Sequence, residues 1–164
     1  MKTNMHPPTV VTYRGCSCAR QPEHPGTMNV QALVGRYDEA TWQLLALLGY
    51  GPRRMANERR GLMALEQRIV HLEEVRAVTV LHIESALLEL GDARLRCLHR
   101  MCDSESQRAL STMELTFVLT GADEGSGTAL PADLIARALA LFPQVPRHSA
   151  EPASARREAL ALPV

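Results

Sequence analysis

A carboxylate and an imidazole stand side by side in the stretch Gln21-Pro22-Glu23-His24-Pro25-Gly26-Thr27. Its prolines and glycine make it an irregular loop. A group such as Glu23 can take a proton from water or attack a carbonyl, and His24 can tune it or touch a substrate. Taken alone, the pair reads equally as solvated loop residues. Asn29 has the residue type and position of a helix N-cap. Arg53, Arg54, Arg59 and Arg60 form a basic cluster whose guanidinium forks suit phosphate oxygens, or else a solvated connector. Cys97, His99 and Cys102 have the chemistry of metal ligands. On a strand, however, Cys97 and His99 share a face and Cys102 points away, so no metal is expected. Neither Cys16/Cys18 nor Cys97/Cys102 has C-x-x-C spacing, and reduced thiols are the expectation for all of them. No G-x-S-x-G elbow supports serine chemistry.

These groups need a scaffold, and the chain is long enough to supply one. With 164 residues, 46% hydrophobic and 22% charged, it fits one globular domain that needs no disulfide or metal to fold. Formal charge is +0, which weakens any reading based on nucleic acid or an acidic membrane surface. No apolar run is long enough to span a bilayer, and the first residues lack a secretory pattern, so a cytoplasmic protein is expected. Residues 9–18 read as a strand. Val30, Leu33, Val34, Tyr37, Ala40, Thr41, Leu44 and Leu48 then trace one apolar stripe of a long helix stopped at Gly49. Gly35 inside it implies close packing on another element. Strands follow over 62–72, 78–88, 93–102 and 109–119, with hairpin-length breaks that make them largely antiparallel. Residues 131–141 read as a short helix, and the Pro- and Ala-rich stretch 143–164 as a mobile tail. The order predicts an α+β fold in which a five-stranded antiparallel sheet wraps around one long central helix.

Four stretches resemble the hotdog-fold thioesterases of the 4-hydroxybenzoyl-CoA type. Glu23-His24-Pro25-Gly26-Thr27-Met28-Asn29-Val30 is similar to the family loop Asp-His-x-Gly-His-x-Asn, with Glu23 in place of the usual Asp and Thr27 in place of the usual His. Tyr37-Asp38-Glu39-Ala40-Thr41-Trp42 matches Phe/Tyr-Asp-Glu-Ala-Ser/Thr-Trp. Leu65-Glu66-Gln67-Arg68-Ile69 resembles the first strand after the helix, and the hairpin over residues 88–102 fits the centre of the sheet. The resemblance implies a hotdog domain over 1–142 that hydrolyses a small acyl-CoA without a cofactor beyond the coenzyme A of its substrate.

On that resemblance Glu23 is the base or nucleophile, and the amides of Asn29 and Val30 polarise the thioester carbonyl. His24 and Thr27 contact substrate, and Arg53 and Arg54 meet the phosphates of coenzyme A. A ring such as Trp42 near Glu66 would receive a cationic acyl group of the carnitine or betaine kind, although core packing is the plain reading of Trp42. The resemblance also implies a homodimer or dimer of dimers, joined edge to edge with the acyl site at the boundary. The alternative is a hotdog protein that binds an acyl thioester or a partner without turnover.

Overall fold

The computed structural model describes residues 7–17, 26–121 and 127–148. The chain runs through β1 (Val10–Cys16), α1 (Val30–Leu47), α2 (Pro52–Asn57), β2 (Gly61–His71), β3 (Val80–Gly91), β4 (Arg94–Asp103), β5 (Ala109–Thr120), β6 (Gly127–Thr128), α3 (Ala132–Leu141) and β7 (Arg147–His148). The main sheet has the order β1-β3-β4-β5-β2, and each neighbouring pair in it is antiparallel. The two-residue strands extend it at the margins: β6 on β5, and β7 parallel to β3.

Period-2 alternation sorts each strand between two faces. Leu81, Ile83 and Leu87 of β3, Leu95, Cys97 and Met101 of β4, and Met113, Leu115 and Phe117 of β5 are buried on the concave face. Against them lie Leu33, Tyr37, Ala40, Leu44, Leu45 and Leu48 of the long helix, one continuous core. Burying each of the larger of these side chains contributes roughly 1.5–3 kcal/mol, which is why the helix lies in the sheet and not beside it. Asn29 caps α1, its side-chain oxygen accepting from the Ala32 N–H at 2.9 Å. At the other end Gly49 adopts φ +74°, a left-handed conformation that glycine reaches without strain and that stops the helix.

The expected order of strands and long helix is the observed one, with differences that have physical causes. The basic connector is a short helix, α2, opened by Pro52 and seated by the buried Met55. Val30 belongs to the apolar stripe by spacing but is 61% exposed, because it stands at the first helical position, beyond the rim of the sheet. Trp42 is also exposed, on the side of α1 away from the sheet, and does not pack in the core. The packed chain continues past Pro143: Val145 is buried and β7 bonds to the end of β3. Residues 149–164 lie outside the described residues.

Gly35 does not mark a close approach. A Cβ built there meets no atom within 4 Å. The glycine therefore costs α1 helix propensity with no packing return inside the chain. Gly35→Ala is expected to raise the free energy of unfolding by about 1 kcal/mol, read as a higher melting temperature in circular dichroism.

Candidate active site

The loop that carries Glu23 is anchored at both of its described ends by one short segment. Before the loop, the Ser17 N–H donates to the Thr79 carbonyl at 2.9 Å and the Ser17 carbonyl accepts from the Val78 N–H at 2.7 Å. The buried Ser17 hydroxyl adds a bond to the Arg76 carbonyl at 2.5 Å and accepts from the Thr79 N–H at 2.9 Å. After the loop, the Gly26 carbonyl accepts from the Ala77 N–H at 2.7 Å, and the Met28 N–H donates to the Val75 carbonyl at 2.8 Å. Thr27 pairs with Arg76 in an isolated bridge. The chain thus leaves and returns on adjacent residues of the β2–β3 connection. Glu23 and His24 themselves lie outside the described residues.

Directly after this anchor begins α1. The first N–H groups of a helix have no partner within it, and its dipole places partial positive charge there. Asn29 uses its side chain on Ala32, so the cap is occupied internally. Val30 is exposed and carries no acidic neighbour in the first turn. The start of this 18-residue helix therefore presents its first backbone donors directly after the anchored residues 26–28. Val78 in the anchoring segment adopts φ +62°. For a β-branched residue that conformation costs on the order of 1–3 kcal/mol, and the paired hydrogen bonds of the anchor hold it.

The other expected site residues are not brought to this place within one chain. Arg53 and Arg54 sit on α2, beyond the far end of a helix ~27 Å long. Arg54 is committed there: its guanidinium bonds Glu58 at 2.7 Å, the Gly49 carbonyl at 3.2 Å and the Asp133 carboxylate, and lies 4.8 Å over the Tyr50 ring. Hydrogen bonding from Arg54 holds the Asp133 carboxyl below its usual range, and bonding from Tyr50 and then Arg54 lowers Glu58. Arg60 bonds the Ala129 carbonyl. Within the cluster, Arg54 thus fastens α2 to α3, and Arg60 is held to the segment before α3. Trp42 and Glu66 are separated by the sheet: α1 covers the concave face, whereas Glu66 lines a polar cleft of about 320 Å³ on the opposite, convex face with Arg68, Glu89, Arg94, Arg96, Glu114 and Thr116.

Sequence reasoning missed a polar chain inside the core. Thr12 Oγ1 and Ser85 Oγ are 2.6 Å apart, Ser85 Oγ is 2.6 Å from His99 Nδ1, and His99 Nε2 is 3.1 Å from Thr41 Oγ1 and 3.3 Å from Cys97 Sγ. Beside it the Tyr37 hydroxyl meets Ser111 Oγ at 2.6 Å. The signal was present: Ser85, His99 and Ser111 occupy inward positions of otherwise apolar alternation. Burial pushes the Cys97 thiol and the Tyr37 phenol up to about 12 and His99 down to about 4. Cys97 and His99 share the inward face and Cys102 lies on the other, as the alternation requires. The described cysteines, Cys16, Cys97 and Cys102, are free thiols, and Cys18 lies outside the described residues. Among the described residues no three His, Cys, Asp or Glu side chains gather as a metal site would need, and no helix is long and apolar enough to cross a membrane.

His99 sets an acid limit on the fold. Its pKa in the folded chain lies below the ordinary 6.5, so unfolded chains bind the proton first. Stability is then complete above about pH 6.5 and declines as pH falls toward 4, by on the order of 3 kcal/mol. Urea titrations across that range are expected to show the decline, and His99→Gln, less stable at neutral pH, is expected to flatten it.

No curated protein sequence matches the chain. Among solved structures, a Staphylococcus aureus protein crystallised in complex with CoA superposes with a TM-score of 0.76 at 13% identity, over 99% of this chain and 98% of that one. A 1,4-dihydroxy-2-naphthoyl-CoA thioesterase from Synechocystis superposes with a TM-score of 0.70 at 14% identity, over 79% and 95%. At such identities the likeness carries the hotdog fold. The family model for the thioesterase-like superfamily matches residues 22–139, from the tethered loop through the sheet to α3. The chain belongs to the thioesterase-like superfamily.

Proposed function

We propose that this protein is an acyl-CoA thioesterase, of the 4-hydroxybenzoyl-CoA thioesterase type, acting on a small acyl group. The observation that carries the reading is the pair of anchors: Ser17 and Gly26 are fastened to adjacent residues of one segment, and α1 begins directly after the second. That arrangement suits a reaction in which a carboxylate works next to backbone donors. Glu23 takes a proton from water, whose oxygen adds to the thioester carbon. The Asn29 and Val30 amides stabilise the charge that develops on the carbonyl oxygen. The C–S bond then breaks, the electron pair leaves with sulfur, and the coenzyme A thiolate takes up the proton. Attack by the carboxylate itself, through an anhydride that water then opens, uses the same groups. His24 and Thr27 border this place in sequence and are the residues we assign to substrate contact. No metal or further cofactor enters the scheme.

A quaternary-ammonium acyl group is a narrower reading that finds no support within one chain, because Trp42 and Glu66 lie on opposite sides of the sheet. Of the basic residues, Arg53 is the one on α2 with no carboxylate partner among the described residues, and we assign it alone to contact with a coenzyme A phosphate. The reading carries with it a cytoplasmic setting, where acyl-CoA and reduced thiols coexist, and an assembly of two copies or a pair of such dimers.

The test is release of free thiol from a panel of aliphatic and aromatic acyl-CoA thioesters. Wild type is expected to hydrolyse at least one. Glu23→Gln keeps the shape but removes the basic lone pair, and is expected to lower kcat about 100-fold or more with binding retained. Glu23→Asp shortens the side chain by one methylene, and reports whether the loop is built around the longer residue. A wild type that binds acyl-CoA but releases no thiol would establish the binding protein instead.

A further inference from the structure

The anchoring segment, residues 75–79, turns two side chains outward. Its backbone serves the two anchors: the Val75 carbonyl accepts from Met28, and the Arg76 and Thr79 carbonyls accept from Ser17. The N–H groups of Ala77, Val78 and Thr79 donate to Gly26 and Ser17. Val75 is buried in the core, whereas Arg76 and Val78 are exposed. Arg76 has no carboxylate partner among the described residues, Glu74 two places before it included.

Val78 is held against two preferences at once. Arg59, Val78 and Gln107 are the non-glycine residues with positive φ among the described residues, and Val78 is the β-branched one. A branched Cβ is poorly tolerated there, and glycine would adopt the same φ of +62° freely. The side chain gains little from packing, because it is 71% exposed. A strained, uncovered apolar side chain beside a candidate site is accounted for by a ligand that covers it.

We propose that Arg76 and Val78 hold the substrate: Val78 is covered by its pantetheine arm, and Arg76 bonds an oxyanion that the substrate carries. That oxyanion is a phosphate of coenzyme A or a carboxylate at the far end of the acyl group. The inference rests on the acyl-CoA reading above and names contacts that the reading leaves open. Arg76 faces Thr27 in the isolated bridge, and Thr27 is three residues before Val30, the first residue of α1. The Arg76 Cα therefore lies within ~17 Å of the start of α1. Its long side chain can meet a group one arm away from the reacting carbonyl. The Cα atoms of Arg76 and Val78 are at most ~7 Å apart, so one extended ligand lying along the segment touches both. The planar fork of a guanidinium pairs with two oxygens of a phosphate or a carboxylate. Arg53 stands beyond the other end of α1, so the two arginines do not share one phosphate.

NMR titration of the full chain with coenzyme A, pantetheine and the thioether S-carboxypropyl pantetheine separates the two contacts. All three ligands share the arm, the first adds phosphates, the third adds a carboxylate, and none can be hydrolysed. Val78→Gly is expected to raise the melting temperature, by releasing the strain, and to weaken all three roughly fivefold or more. Arg76→Gln is expected to weaken roughly tenfold the ligand whose oxyanion it meets, and to leave pantetheine unchanged. A loss on coenzyme A identifies a phosphate and moves that contact from Arg53 to Arg76. A loss on the carboxylate thioether identifies an acidic acyl group. Arg76→Gln weakening all three alike or none of them, Val78→Gly sparing them, or a wild type that binds none would overturn the proposal. A protein that shows the expected pattern but releases no thiol from acyl-CoA keeps these contacts and loses the enzyme reading. One that hydrolyses acyl-CoA while Arg76→Gln changes no affinity keeps the enzyme reading and loses the contacts.

Discussion

An 18-residue helix with an apolar stripe along one side cannot remain in water, and the concave face of the sheet is the surface that buries it. Much else follows from that contact. Tyr37, Leu44 and Leu45 reach full burial only because β3, β4 and β5 curve beneath them. The N-terminal end of the helix is thereby fixed at the rim of the sheet, where the chain arrives from β1 across the β2–β3 connection. The candidate site is a consequence of this placement: donors at a helix start, next to a loop whose two feet share one anchor.

The polar chain through His99 is a constraint of another kind. A core of this size could be wholly apolar, yet Thr12, Ser85, His99 and Thr41 form a continuous run of hydrogen bonds between helix and sheet. Each group is partnered, so the run costs less than its burial suggests, and its geometry admits one register of helix on sheet. The same burial keeps the imidazole neutral and the Cys97 thiol protonated, which makes both unreactive at neutral pH.

At the opposite end of α1 the short helix α2 shows how a cluster of charges is absorbed by structure. Arg54 gathers Glu58, Asp133, a carbonyl and an aromatic face, and so ties α2 to α3 and to the turn that follows α1. Individually such partly exposed pairs contribute little.

Sequence alone determined the α+β class, the order of strands and long helix, the inward face of β5 from Ser111 to Leu119, the cap at Asn29 and the helix stop at Gly49. Each of these follows from residue type and period within one element, which is local information. Tertiary structure decided the rest. Spacing made Val30 a core candidate and residue type made Trp42 one, but Val30 stands at the first helical position and Trp42 off the buried stripe, so both are exposed. Residue type made Arg54 either a phosphate contact or part of a solvated connector, and Asp133, 79 positions later, bonds its guanidinium. Gly35 suggested a close neighbour that the chain does not supply. Ser17 gave no sign of its role, because its partners at 76 and 79 are meaningful only once β1 and β3 are paired. Periodicity reports which side of an element is apolar. It does not report what stands opposite, and that is set by contacts between residues far apart in the chain.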